Sequence, residues 1–144
     1  MSSATDRTAA DFTVLVYSDD AAVRERIRMA VGRRPAPDLG RVSYVEVDTG
    51  EEVVAAADAG GLDLLLLDGE AWPTGGMGIS RQLKNELEDD CPPTCVVLAR
   101  RVDRWLATWS LADATLSHPL DPIEAADVVA GLLRERAARL PAGR

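Results

Sequence analysis

Residues 62 to 69 have the sequence Leu-Asp-Leu-Leu-Leu-Leu-Asp-Gly, a short apolar run that ends on the carboxylate of Asp68. A second apolar run, at residues 14 to 17, ends on Ser-Asp-Asp at residues 18 to 20. Both runs are short and bounded by turn residues, as buried parallel strands are. Parallel neighbours end at one edge of a sheet, where such folds place their sites. Carboxylates that meet there repel each other unless a cation or a proton joins them, so the pattern predicts a divalent-metal site.

Length and composition predict a single cytoplasmic domain. The chain has 144 residues, 47% of them hydrophobic, and its formal charge of -8 argues against nucleic-acid binding. Residues 1 to 10 lack the apolar centre of a secretory signal, and no apolar run is long enough to span a bilayer. Cys91 and Cys95 lack redox or zinc spacing, which favours two reduced thiols. We expect a disordered leader at 1 to 11 and one domain at 12 to 140, with no output domain.

Strand-like and helix-like segments alternate along the chain. Apolar runs and alternating patterns predict five strands, at residues 12 to 18, 42 to 47, 62 to 68, 95 to 98 and 114 to 117. Apolar residues at helical spacing predict five helices, at residues 21 to 32, 51 to 59, 77 to 88, 102 to 112 and 122 to 140. This order is typical of a doubly wound α/β fold with a parallel sheet.

Four local motifs resemble the receiver domain of response regulators, the CheY-like family, and the resemblance covers about residues 12 to 139. The motifs are Val-Tyr-Ser-Asp-Asp-Ala-Ala-Val-Arg at 16 to 24, Leu-Leu-Leu-Leu-Asp-Gly-Glu at 64 to 70, Gly76, and His118-Pro119. The resemblance implies a flavodoxin-like sheet with strand order 2-1-3-4-5. It also implies a stand-alone, atypical response regulator of two-component signal transduction, with a histidine kinase or other phosphodonor upstream and a protein target downstream.

The resemblance also implies an acceptor site. Asp68 matches the phosphoacceptor, a carboxylate nucleophile that forms an acyl phosphate. Asp19, Asp68 and the backbone carbonyl of Glu70 match the Mg²⁺ ligands. Aligned on the helix that follows, the outer acid falls on Ser18; a shift of one residue places it on Asp20. Because Ser18 has no carboxylate, the first register predicts a weaker Mg²⁺ site than is usual in the family.

Three family positions that respond to phosphorylation depart from the pattern. The hydroxyl residue of strand four falls on Leu98 or Ala99, and its loss weakens the phosphorylated state's preference by roughly ten- to a hundredfold. The aromatic switch of strand five falls on Thr115. The lysine falls on His118, which is cationic only near or below pH ~6.5 unless its neighbours raise that value. Contact with a phosphoryl oxygen and a simple hydrogen bond at the strand end both remain open for it; the resemblance implies a cis bond before Pro119.

Large apolar side chains suggest contact surfaces. Trp105 and Trp109 are four residues apart on the predicted fourth helix, which favours core packing over an exposed interface anchor. Trp72, in the loop after strand three, is expected to lie over Asp68 or to face a partner. Apolar residues on more than one face of the last helix predict an apolar surface and a homodimer there: Val128, Val129, Leu132 and Leu133.

Three functional hypotheses follow. The favoured one is an atypical receiver, not an enzyme, that accepts a phosphoryl group at Asp68 and signals by protein contact. The second is a pseudo-receiver, the same fold used as a phosphorylation-independent binding module. The third, a phosphatase of the haloacid-dehalogenase type, is disfavoured because that family has a second aspartate where this chain has Glu70.

Overall fold

The computed structural model describes residues 11 to 100 and 104 to 139, which build a five-stranded sheet between two layers of helices. The strands are β1 Phe12–Tyr17, β2 Val42–Val47, β3 Leu64–Asp68, β4 Thr94–Leu98 and β5 Ala114–Ser117. Their order is β2-β1-β3-β4-β5, and every neighbouring pair is parallel. The predicted sheet and its strand order are therefore confirmed.

The helices are α1 Ala21–Val31, α2 Gly50–Ala59, α3 Gly76–Leu87, α4 Arg104–Trp109 and α5 Pro122–Arg139, and a 3₁₀ turn covers Glu88–Asp90. The sequence predicted five helices; within the described ranges four have ten or more residues, and α4 has six. In place of a helix over 102 to 112 the structure has the six-residue α4. It ends early because Leu111 adopts a left-handed φ of 62°, and residues 102 and 103 lie outside the described ranges.

The ends of the predicted domain are partly outside the described residues. Residues 1 to 10 of the predicted leader and residue 140 are not described. Asp11, which the sequence assigned to the leader, accepts a hydrogen bond from the backbone N–H of Arg41 at 3.0 Å. This contact joins the start of β1 to the residue before β2. No helix among the described residues has the length and apolar character needed to cross a membrane.

The sheet buries an apolar layer on each face because side chains alternate along a strand. One set packs against α1 and α5: Val14, Val16, Leu64, Leu66, Val97 and Leu116. The other set packs against α2 and α3: Leu15, Tyr17, Leu65 and Leu67. Full burial of one such side chain stabilises the fold by about 1.5–3 kcal/mol. The central strands β1 and β3 thus hold their polar ends at a fixed edge of the sheet.

The last helix is covered on more sides than expected. Val129, Leu132 and Leu133 are buried, and Val128 is half-buried against the same cluster. The prediction of an apolar surface at these residues was wrong, because α5 packs against both the sheet and α1. The apolar pattern of α5 consequently gives no support to a homodimer through these side chains.

Candidate functional site

The carboxylate of Asp68 is held at the carboxyl edge of the sheet by two hydrogen bonds. Asp68 is the last residue of β3 and only 4% exposed. Its Oδ2 accepts a hydrogen bond from the buried hydroxyl of Ser18 at 2.8 Å. Its Oδ1 accepts one from the backbone N–H of Glu70, also at 2.8 Å. Since a carboxylate has about four lone-pair sites, both oxygens keep capacity for a further ligand.

The residues after β1 have three different surroundings. Ser18 faces Asp68, as described above. Asp19 is exposed, and its Oδ1 accepts a hydrogen bond from the backbone N–H of Trp72 at 3.1 Å. Asp20 is the N-cap of α1: its Oδ1 accepts from the N–H of Ala22 at 2.9 Å. The structure therefore places Ser18, rather than Asp20, beside Asp68.

Arg24 fixes the turn between β1 and α1, a role that the sequence did not suggest. One guanidinium nitrogen donates to the backbone carbonyl of Ser18 at 2.6 Å. Its Nε donates to Glu46, at the end of β2, at 3.1 Å. The Asp20 N–H donates to the Ser18 hydroxyl oxygen at 3.0 Å. Ser18 is thus held through its carbonyl and its side chain, so its hydroxyl has a defined direction towards Asp68.

The start of α3 lies directly against the end of β3. A Cβ on Gly76 would lie 2.7 Å from the carbonyl oxygen of Asp68 and 2.8 Å from the Cβ of Leu67. Side chains do not tolerate such distances, so only glycine fits here. The glycine that the resemblance singled out is therefore explained by a close approach of the backbone.

Tyr17 lies under the site and was not predicted as part of it. Its hydroxyl donates to the backbone carbonyl of Thr74, in the loop between β3 and α3. Burial raises the pKa of Tyr17, and the carboxylates of Asp19, Asp68 and Asp48 raise it further. The phenol therefore remains a neutral donor that ties β1 to the loop. Its position as the last residue of β1, just before the acidic turn, was the available signal.

The donor set at this edge fits Mg²⁺. No group of three or more His, Cys, Asp or Glu side chains in the described part of the chain is arranged to hold a metal. Mg²⁺ binds through one or two carboxylates with water and phosphate oxygens, and Asp19 and Asp68 supply two carboxylates on adjacent strands. No basic side chain of the described ranges forms an ion pair with the buried Asp68 carboxylate. A bound cation would compensate this buried charge.

On the neighbouring strand, the two alternatives for the missing hydroxyl differ in position. Leu98 is fully buried among Val96, Met77 and Ala112, on the face of the sheet opposite α1. Ala99 is half-buried and lines a groove with Arg26 of α1. Since side chains alternate, Ala99 shares its face of the sheet with Asp68. Ala99 is therefore the residue that stands where a hydroxyl would meet the Asp68 site.

His118 lies at the same edge without contacting Asp68. Its backbone N–H donates to the carbonyl of Leu98 at 2.9 Å, and its peptide bond to Pro119 is cis, as the resemblance implies. His118 lines a groove of about 800 Å³ together with Arg26, Met29 and Leu120. No hydrogen bond or ion pair joins its imidazole to Asp68 in the described structure.

The hydroxyl of Thr94 is at the far end of β4 from the site. The sequence predicted that this strand begins at residue 95, but Thr94 is its first residue. Its side chain is buried and forms a hydrogen bond of 2.9 Å with the hydroxyl of Ser80 in α3. This missed polar pair therefore joins a helix to the sheet and does not replace the hydroxyl that Ala99 lacks.

The tryptophans of α4 are exposed, so the prediction of core packing was wrong. Trp105 is 70% exposed and Trp109 is 50% exposed. The guanidinium of Arg81 stacks over the Trp109 ring, 5.0 Å from its centroid, and donates to its backbone carbonyl at 2.7 Å. Thr115 is half-buried in β5, and Trp72 is exposed in the loop beside Asp19. Large aromatic surface is thus available on α4 and at the edge of the site.

The two cysteines are free and buried. Burial raises the pKa of Cys95 to about 12 and also raises the pKa of Cys91. Thiols with a raised pKa are poor nucleophiles and metal ligands at neutral pH. Their surroundings therefore match the structural role that their spacing indicated.

Solved structures place this fold among receiver domains. A CheY-like receiver domain protein from Methanospirillum hungatei has a TM-score of 0.68 and 17% identity, with 91% of this chain and all of that chain (100%) covered. A response regulator from Thermotoga maritima, solved with Mg²⁺ and a beryllium fluoride, has a TM-score of 0.69 and 21% identity, with 85% and 99% covered. At such identities the likeness establishes the fold alone.

Sequence relatives establish the family. No protein-family model matches the chain. Two Mycobacterium tuberculosis proteins, from strains CDC 1551 / Oshkosh and H37Rv, are each named "Uncharacterized response regulatory protein". Each is 54% identical over 121 residues, which cover 84% of this chain and 90% of the relative. The chain belongs to the response regulator family, with a CheY-like receiver fold.

Proposed function

We propose that this protein is an atypical receiver in which Asp68 accepts a phosphoryl group with the help of Mg²⁺. The observation that carries the proposal is the buried Asp68 carboxylate, oriented by Ser18 and Glu70 beside the exposed carboxylate of Asp19. Membership of the response regulator family supports it. The same reasoning makes the protein a signalling component rather than an enzyme.

In the proposed reaction, a carboxylate oxygen of Asp68 attacks the phosphorus of the phosphodonor. A new oxygen–phosphorus bond forms, and the bond from phosphorus to the donor's leaving group breaks. The leaving group departs with the electron pair, and it takes a proton from solvent only where it is basic. The Ser18 hydroxyl and the Glu70 N–H hold the carboxylate in one orientation, which lowers the entropic cost of reaching the attack geometry.

Asp19, Asp68 and the backbone carbonyl of Glu70 would hold Mg²⁺. When bound, the cation neutralises the charge that gathers as an anionic donor approaches a carboxylate. Because Ser18 stands where the family has a second acid, this site has one fewer negative charge nearby. We therefore expect Mg²⁺ to bind more weakly here than in receivers with the full acidic pair.

We propose that signalling proceeds by contact with proteins. A histidine kinase or another phosphodonor would supply the phosphoryl group, and a protein target would recognise the product in the cytoplasm. The exposed rings of Trp72, Trp105 and Trp109 suit such contacts, since tryptophan is enriched among interface anchors. The acidic net charge of -8 gives no support to a nucleic-acid partner.

The runner-up proposal is a pseudo-receiver that binds its partner without phosphorylation. Specific features favour it: Ala99 has no hydroxyl, His118 does not contact Asp68, and Ser18 replaces an acid. The two proposals share one fold and differ in whether Asp68 reacts.

Intact-mass spectrometry separates the two proposals. The protein is incubated with acetyl phosphate or phosphoramidate, with and without Mg²⁺, beside Asp68→Asn. The receiver proposal predicts one Mg²⁺-dependent phosphoryl addition that is absent in Asp68→Asn. No addition with either donor, together with no binding of beryllofluoride, would support the pseudo-receiver. An addition that persists in Asp68→Asn would refute the assignment of Asp68.

A further inference from the structure

The segment between β1 and β2 is basic in an acidic protein. Residues 24 to 41 contain six arginines and two acids, whereas the whole chain has a formal charge of -8. Neither acid of this segment lines the two surface grooves described below. Asp38 is paired with Arg134 of α5 at 2.8 Å. The local sign of charge is thus opposite to that of the molecule.

One exposed methionine lies at the centre of this region. Met29, on α1, is 75% exposed. It lines the groove of about 800 Å³ with Arg26, and a second groove of about 330 Å³ with Arg28, Arg33 and Tyr44. We call the surface formed by these five residues the arginine patch. Arg26 and Met29 are three residues apart and share one face of α1, and Arg33 follows the end of that helix.

The charges of the patch exceed what the neighbouring acids neutralise. Glu46 is the acid that reaches it, and both Arg24 and Arg28 bind this one carboxylate, at 3.1 and 3.0 Å. Arg26 and Arg33 are exposed and form no ion pair within the described ranges. The patch therefore presents unpaired guanidinium groups around an apolar side chain.

The floor of the smaller groove is fixed. The hydroxyl of Tyr44 donates to the backbone carbonyl of Gly32, at the end of α1. Burial raises the pKa of Tyr44, so this hydroxyl stays protonated and keeps the hydrogen bond. Tyr44 and Met29 line this groove together with Arg28, Gly32 and Arg33. A preformed groove of this kind lowers the ordering cost of binding.

From this surface we infer that the arginine patch binds an acidic segment of a partner protein that carries an apolar side chain. Carboxylates fit the planar donors of arginine, and the apolar side chain lies against Met29 and Tyr44. Met29 is nine residues beyond Asp20, or roughly 13 Å along the helix axis from the end of α1 that adjoins the Asp68 site. The larger groove also includes Ala99 and His118 at the carboxyl edge of the sheet. The inference itself uses only the five residues of the patch, so it stands whether or not Asp68 reacts.

The test measures fluorescence anisotropy of a short fluorescein-labelled peptide in which Glu and Leu alternate. Two comparison peptides alternate Glu with Ser and Lys with Leu. We expect the Glu–Leu peptide to bind at least about tenfold more tightly than either, with an affinity that falls as salt rises. Equal binding of all three peptides, or no binding of the Glu–Leu peptide, would overturn the inference.

Variants locate the binding. The double charge reversal Arg26→Glu with Arg33→Glu is expected to weaken binding of the Glu–Leu peptide about tenfold or more. Met29→Ser is expected to weaken this binding several-fold. Arg81→Glu makes the same change of charge at one position on the opposite face of the sheet and is the matched control. All variants are checked for an unchanged thermal transition.

The pattern across variants decides the outcome. Binding that survives the double reversal, or that Arg81→Glu weakens equally, contradicts the inference. Tighter binding of a labelled single-stranded oligonucleotide than of the Glu–Leu peptide would assign the patch to nucleic acid instead. Self-association lost in the double reversal, without peptide binding, would assign it to a second copy and also overturn the inference.

Discussion

The carboxyl edge of the sheet has two sides that differ in construction. On the acceptor side, at the ends of β1 and β3, Ser18, Glu70 and Asp68 form a hydrogen-bonded unit next to Asp19. On the response side, at the ends of β4 and β5, Ala99 has no polar side-chain group and His118 lines a groove. Under the proposed function, accepting a phosphoryl group and responding to it would therefore be separable, because the two tasks fall on different sides of this edge.

The largest effect is expected from removing the direct metal ligand. Asp19→Asn should raise the Mg²⁺ concentration for half-maximal phosphorylation more than about a hundredfold, because outer-shell changes alone cost up to that much. Asp20→Asn is the matched control, since asparagine caps a helix as well as aspartate does. A larger effect of Asp20→Asn, measured in the same titration, would mean that the acidic turn uses the other register.

Restoring a hydroxyl on the response side should strengthen the binding of beryllofluoride. Ala99→Thr is expected to tighten Mg²⁺-dependent beryllofluoride binding by about ten- to a hundredfold, the value of a hydrogen bond to a charged group. Titration calorimetry measures the change. Leu98→Thr is the control: it buries a hydroxyl among Val96, Met77 and Ala112 and should only lower the melting temperature. A gain from Leu98→Thr and none from Ala99→Thr would reverse our assignment of these positions.

The acceptor side should not tolerate added volume where the start of α3 meets the end of β3. Gly76→Ala places a Cβ 2.7 Å from the Asp68 carbonyl oxygen and is expected to cost about 1–3 kcal/mol of unfolding free energy. Gly78→Ala, in the same helix, meets no atom within 4 Å and should stabilise by about 0.5–1 kcal/mol. Urea unfolding followed by circular dichroism checks both. Equal effects would show that α3 does not approach β3 as closely as described.

Completing the acidic pair should strengthen metal binding. We expect Ser18→Asp to raise the Mg²⁺ affinity about tenfold, because it adds a carboxylate beside Asp68. Ser18→Ala should not raise the affinity, and it should lower stability by about 1–3 kcal/mol because the buried Oδ2 of Asp68 loses its donor. Trp72 fluorescence during a Mg²⁺ titration, with Trp105 and Trp109 replaced by Phe, provides the measurement. Unchanged affinity in Ser18→Asp would remove the explanation for a weak site.

The smallest effect is expected on the response side. His118→Ala should leave the rate of phosphorylation by acetyl phosphate unchanged within error, because no hydrogen bond or ion pair joins the imidazole to Asp68 in the described structure. A loss of rate in His118→Ala would show that the imidazole reaches the phosphoryl group.

The sequence predicted the sheet because residues 14 to 17 and 64 to 67 are apolar runs that end abruptly on polar residues. It predicted Asp68 for the same reason, because a carboxylate that ends a buried central strand lies at the carboxyl edge of the sheet. It left Ser18, Asp19 and Asp20 ambiguous, since adjacent residues in a turn lack a fixed periodicity. The N-cap preference for aspartate before Ala21 was the signal that separates Asp20 from the site.

Surface features were harder to predict because periodicity identifies a stripe but not what covers it. The stripe containing Trp105 and Trp109 resembled a core face, yet both side chains are exposed. The apolar residues of α5 suggested an exposed face, but α1 covers it. The roles of Tyr17 and Arg24 depend on contacts across the fold that are distant in sequence.

The separation of the two sides is tested most directly by amide NMR spectra recorded with Mg²⁺, before and after addition of beryllofluoride. Our account predicts shifts at the amides of Asp19, Gly69, Glu70 and Trp72, with little change at Ala99, Trp109 and Thr115. These shifts should be absent in Asp68→Asn. Shifts of equal size on both sides would contradict the separation, and no shift on the acceptor side would contradict the assignment of Asp68 as the phosphoacceptor.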